Sequence, residues 1–104
     1  MIKTIFLVPV RDNEGRRFTR PAWQALDRRL AAAFGGLSIR FGVVGTWQAD
    51  EHTYRDTSRE YTVSLATWRQ LAAWLAIVDW ACERFGQEAT YVEVAGIPEV
   101  LSRP

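Results

Sequence analysis

"WQADEHTYRDTSRE", residues Trp47–Glu60, holds the chain's single histidine together with four carboxylates and two arginines, between two apolar runs. Read as a reactive loop, it would leave those runs unrelated. Read as a hairpin, it makes them neighbouring strands, and the fold follows. The flanking pattern favours the hairpin. Before it, "LSIRFGVVGTWQ" alternates, with Ile39, Phe41, Val43 and Trp47 on one side and Arg40, Val44 and Thr46 on the other. After it, "EYTVSL" alternates again, Tyr61, Val63 and Leu65 opposing Glu60, Thr62 and Ser64. Trp47 and Tyr61 then anchor the stems of a hairpin whose tip is solvated.

Working outward, the run Ile2–Val10 is β-branched and aromatic on both faces, as a central strand is. "RDNEGRR" follows as a polar loop turning at Asn13-Glu14-Gly15. Thr19 is placed to cap a helix with Pro21 in its first turn, and Trp23, Leu26, Leu30 and Phe34 recur at helical spacing until Gly35-Gly36. Beyond the hairpin, Thr67 and Gln70 form a capping-box pattern ahead of a helix over Trp68–Phe85, closed by Gly86. "ATYVEV" is a last short strand, and Pro98 and Pro104 bracket a tail over residues 96–104.

The order strand, helix, strand, strand, helix, strand is the ferredoxin-like split βαββαβ pattern. The expectation is one α+β domain over residues 1–104, with a four-stranded antiparallel sheet and two helices on one face. The first strand's inward side is not decided by its sequence. Arg40, Glu60, Thr62 and Ser64 point to the sheet's open face.

Composition narrows the chemistry. Thirteen basic and twelve acidic residues leave a formal charge of +1, so no broad field favours nucleic acid or an anionic membrane. All the basic residues but Lys3 are arginines. Cys82 is alone, which leaves neither an internal disulfide nor a cysteine zinc site, and its place on the apolar stripe of the second helix marks it as core. With neither a signal-peptide pattern nor a long apolar run, the cytoplasm is the expected compartment, with no membrane partner.

Three short motifs, "GTW" at Gly45–Trp47, "RE" at Arg59-Glu60 and "FGQEA" at Phe85–Ala89, resemble a family of small bacterial domains of unknown function with G-x-W, R-E and F-G-Q-E-A motifs. The resemblance spans about Phe6–Val94. It implies a compact α+β fold and no known activity. Part of it also has a structural explanation: Phe85 packs, Gly86 closes the helix, and Gln87-Glu88 lead into the last strand. Glu88 is the residue of this group most worth mutating.

The candidate sites differ in what each one lacks. Asp50, Glu51, His52 and Asp56 lack the second imidazole or thiolate of a zinc site and the glycine turn of an EF-hand, so no metal is expected. Acid–base work would fall to His52, Tyr54, Arg55 and Glu60, but no nucleophile with an adjacent base accompanies them. Arg40, Trp47 and Glu60 are the ligand-binding candidates, on the open sheet face and the hairpin. Arg11, Arg16, Arg17 and Arg20 cluster before the first helix, without a P-loop and partly neutralised by Asp12 and Glu14. An RNA-recognition sheet would need several stacking aromatics on its central strands, and "REYTVSL" has only Tyr61.

The second helix carries a core stripe of Leu71, Trp74, Leu75, Val78, Ala81, Cys82 and Phe85. Ala73, Ile77 and Trp80 form a separate apolar flank, which suits a partner contact. The competing account folds the tail Ile97–Leu101 back over that flank. The leading expectation is therefore a non-enzymatic module that self-associates or binds a protein partner, with no cofactor. The alternative is a cofactor-independent enzyme or ligand carrier whose site lies between the open sheet face and the 47–60 hairpin.

Overall fold

In the computed structural model, which describes residues 1–102, a strand β1 (Ile2–Pro9) leads through a polar loop to helix α1 (Arg20–Phe34). The hairpin follows as β2 (Ser38–Ala49) and β3 (His52–Leu65). A single 3₁₀ turn, Trp68–Gln70, opens α2 (Leu71–Arg84), and β4 (Ala89–Val94) and β5 (Ile97–Ser102) complete the described residues. The sheet is antiparallel in the order β2-β3-β1-β4-β5. This is the expected α+β arrangement with one strand added.

The added strand corrects the reading of residues 96–104 as a tail. Ala95 and Gly96 both take positive φ, 53° and 81°, and turn the chain so that Ile97–Ser102 pairs along β4. The segment therefore extends the sheet and does not cover α2. Pro98 is tolerated because β5 is an edge strand, whose outer N–H groups need no partner. Pro104, expected to close the tail, lies outside the described residues.

Both helices cover one sheet face. Phe6, Val8, Tyr61, Val63, Leu65 and Val92 meet Trp23, Leu26 and Leu30 of α1 and Trp74, Val78, Ala81 and Cys82 of α2 in one buried cluster. This settles β1: Thr4, Phe6 and Val8 point inward. The Thr4 hydroxyl donates to the Val63 carbonyl at 2.7 Å, so the one polar side chain on that row is satisfied. Phe6 stacks on Tyr61 at 5.2 Å and meets Trp74 edge-on at 6.1 Å. The Tyr61 hydroxyl escapes the core by donating to Asp27 at 2.9 Å.

Local signals mostly act as their chemistry dictates. Gly35 closes α1 in the left-handed region, φ 81°. After α2, the Gln87 N–H donates to the Cys82 carbonyl and the Gly86 N–H to that of Glu83, a Schellman closure. The capping box expected from Thr67 and Gln70 is not made, because the glutamine reaches one residue too far back. Gln70 Oε1 accepts the Ala66 N–H at 2.6 Å, but Thr67 makes no side-chain cap bond and the first turn is 3₁₀. Leu75, expected in the core, is exposed; the stripe on α2 is narrower than the sequence suggests.

The largest correction concerns the hairpin. Residues 52–59 are strand, not loop, and the tip shrinks to Asp50-Glu51, both at positive φ (51° and 66°), the signature of a type I′ turn. The register slips between Arg40↔Glu60 and Val43↔Ser58, so that Phe41 and Gly42 both oppose Arg59. Gly42 takes φ 70° in this bulge. One extra residue moves everything beyond it to the other face. Ile39 and Phe41 stay on the helix side, whereas Val43 and Trp47 turn to the open side. Trp47 therefore does not share the face or the partners of Tyr61.

Candidate functional site

β1 pairs with β3 only over Ser58–Leu65. Just beyond it the Thr57 carbonyl still accepts the Val10 N–H at 3.0 Å, and the rest of the hairpin, Val43–Asp56, pairs only with itself as a two-stranded arm. On the arm's open-face side Trp47 stacks on Tyr54 at 5.7 Å, and His52 meets Tyr54 edge-on at 6.3 Å. Trp47 and Tyr54 are nevertheless 48% and 45% exposed, so the stack has one bare side. Val44, on the arm's other face, is exposed as well.

At the root of the arm lies a concavity of about 420 Å³ on the open sheet face. Leu7 and Pro9 of β1, Trp47 and Asp56 of the arm, buried Ser58, and Tyr91 of β4 contribute to its lining. The Tyr91 hydroxyl is pushed above its ordinary value, by desolvation first and by the Glu93 carboxylate next. Of the ligand-binding and acid–base candidates Trp47 alone is among this lining, joined by Asp56 from the set weighed for a metal. Arg40 faces Glu60 across the register farther along the open face. His52 is exposed near the arm's tip, and Arg55, opposite Thr46, points to the arm's other side. His52 and Tyr54 are thus in ring contact, whereas Arg55 lies on the arm's other face and Glu60 sits opposite Arg40, six residues along β3 from Tyr54. Among the described residues no three His, Cys, Asp or Glu side chains cluster as metal ligands. Glu88 is exposed just before β4.

The α2 flank is partly covered. Ile77 and Trp80 are half-buried against the core, and the Arg29 guanidinium lies 3.9 Å from the centre of the Trp80 ring. Ala73 is exposed. The flank meets α1 of its own chain before any partner.

The arginine-rich loop divides in two. Arg16 is held by Asp12 and Glu14, and Arg11 donates to the Gly15 carbonyl at 3.1 Å. Asp12 in turn accepts the backbone N–H groups of Glu14 and Arg16, and the Arg16 bond leads in holding its carboxyl below the ordinary value. Arg17 and Arg20 instead line a second, larger cavity, of about 640 Å³, beside α1. Sequence reasoning had no reason to join Trp23, Phe41 and Arg59 to them. Arg59 crosses from β3 and lies 4.0 Å from the Trp23 ring centre and 4.9 Å from that of Phe41.

No family model and no curated protein matches the chain. Among solved structures it is similar to a phage SAM lyase in complex with S-methyl-5′-thioadenosine, at 15% identity over 98% of this chain and 89% of that one, TM-score 0.65. A phage SAM lyase in its apo state gives 12% identity, the same coverage and TM-score 0.66. The divalent cation tolerance protein CutA1 from Thermus thermophilus gives 12% identity over 100% of this chain and 84% of that one, TM-score 0.55. At such identities the likeness is one of fold. No helix among the described residues is long and apolar enough to cross a membrane.

Proposed function

We propose that the chain is a self-associating module that uses its arm and open sheet face to hold a second copy. One observation carries this reading: among the described residues the arm over Val43–Asp56 has no third strand beside it and no helix over its Trp47–Tyr54 stack. A two-stranded ribbon is marginal alone in water. Here it presents aromatic and β-branched side chains and the unpaired edge of β2. At the far side of the sheet β5 offers a second free edge with exposed Ile97 and Val100. A net charge of +1 leaves little repulsion between copies. The arm is favoured over the α2 flank because Trp80 already has Arg29 as cover.

The test is light scattering across a concentration series, with Trp47→Glu alongside. The wild type is expected to exceed the mass of one chain, and the variant to dissociate while keeping its circular dichroism. A wild type that stays monomeric at high concentration overturns the proposal.

A second reading, a small-ligand carrier, is favoured by the open-face concavity. Its size falls in the range of small-molecule sites, and it pairs aromatic walls with a few polar groups. A nucleoside thioether such as the one named with the phage SAM lyase is the first ligand class to try there. Saturable binding of S-methyl-5′-thioadenosine that Ser58→Ala or Asp56→Asn weakens supports it; no binding to the assembled protein ends it.

A further inference from the structure

We propose that the cavity between α1 and the β2 bulge is a separate site for a phosphorylated small molecule of mononucleotide size. It lies on the helix side of the sheet, away from the open-face concavity, and the inference does not rest on self-association. The space, about 640 Å³, suits such a ligand.

The lining is charged out of proportion to the chain. Arg17, Arg20 and Arg59 face it with a single carboxylate, Asp27, which already accepts the Tyr61 hydroxyl at 2.9 Å. The whole chain carries only +1. The neighbouring loop shows the contrast: its acids, Asp12 and Glu14, engage Arg16 and leave the cavity's arginines to other partners. Arg20 is also the first residue of α1, whose first turn holds no acid. Two cations at the positive end of a helix disfavour each other and the helix dipole, and an anion placed between them relieves both.

Arg59 makes this more than a basic patch. Its guanidinium packs against both the Trp23 and Phe41 rings, at 4.0 and 4.9 Å from their centres. A planar cation packed against two aromatic rings loses little freedom when it forks onto an oxyanion. The rest of the lining suits more than a bare anion. Phe41 is 65% exposed and offers a flat apolar surface, and Gln24 can hydrogen-bond a polar ring edge. A phosphate on Arg17, Arg20 and Arg59, with an attached ring against Phe41 and its polar edge towards Gln24, uses all of these groups.

Calorimetric titration with AMP, adenosine and inorganic phosphate tests the proposal. AMP is expected to bind saturably, at least tenfold tighter than either of the others. The surface double variant Arg17→Ala/Arg20→Ala is expected to lower AMP affinity more than tenfold with an unchanged melting temperature, and Phe41→Ala severalfold. Light scattering on the same double variant separates this site from assembly: lost AMP binding with wild-type oligomer size supports it. Equal AMP affinity in wild type and double variant overturns it, as does AMP binding no tighter than phosphate or adenosine, or loss only when the oligomer falls apart.

Discussion

The two halves of the β2–β3 hairpin are covalently one unit and physically two. Between Ser58 and Thr62, β3 lies between β2 and β1; it continues along β1 to Leu65 and buries Tyr61, Val63 and Leu65 beneath the helices. Between His52 and Asp56 it has, among the described residues, β2 alone as a backbone partner, and its side chains are exposed or half-buried. The inner half is explained by the monomer's own hydrophobic burial. The outer half makes its backbone bonds but gains little apolar burial in return. A ribbon this long persists in a sequence only if something outside the monomer uses it, or if its cost is small.

The sharpest way to break the comparison is one truncation in each half. Tyr61→Ala empties a fully buried position and is expected to cost about 3–5 kcal/mol. Trp47→Ala removes only a half-exposed ring from a stack and is expected to cost about 1 kcal/mol or less in the monomer. Urea unfolding at submicromolar concentration measures both. At high concentration the Trp47 variant should instead lose the concentration dependence of its midpoint, because dissociation is linked to unfolding. If Trp47→Ala costs as much as Tyr61→Ala in the dilute monomer, the arm belongs to the core and the division fails.

A milder change probes how the inner half ends. Tyr61→Phe deletes the hydroxyl that donates to Asp27, and is expected to cost about 1–2 kcal/mol. It also changes the alkaline limb. Burial first, and then the Asp27 carboxylate, raise the Tyr61 hydroxyl far above its ordinary value. The unfolded chain's tyrosine ionises near pH ~10. Stability from this group is therefore complete below pH ~10 and drains away as pH rises above it. Denaturation midpoints between pH ~9 and ~11 should fall less steeply in Tyr61→Phe than in the wild type.

How much of this was legible follows the same division. The order of the first six elements could be read because each carries its own periodicity and stop signals, down to the glycines at 35 and 86. The outer arm could not, since "HTYRDTSR" is polar on both faces and gives period-two reasoning no hydrophobic row. β5 was hidden by Pro98, which argues against any strand but an edge. The flip of Trp47 was signalled only by Gly42, an isolated glycine inside a strand pattern. The Arg59 cavity left no local trace. Trp23, Phe41 and Arg59 lie on three elements, and only the register with its bulge brings them together.

That bulge joins the halves, and Gly42→Ala tests it. A Cβ there meets no atom within 4 Å, so any cost comes from holding an alanine at φ 70°. About 1 kcal/mol is expected, with the Arg59 cavity reshaped and AMP binding weakened if that site is as proposed. A neutral result would mean that the backbone relaxes out of the left-handed region and takes Phe41 with it.

The smallest effect sits farthest out. Asp50 and Glu51 make the two-residue turn at φ 51° and 66°. Aspartate tolerates that region, but glutamate has no short side chain with which to offset the clash of its Cβ. Glu51→Gly removes the clash and returns some flexibility to the unfolded chain, for a net gain of about 0.5 kcal/mol. If the arm folded and melted with the inner sheet, that gain would appear as a shift of the global urea midpoint. If the arm opens by itself, the global midpoint stays put. Amide exchange at residues 46–55 then slows, while the amides of β1 keep their wild-type rates.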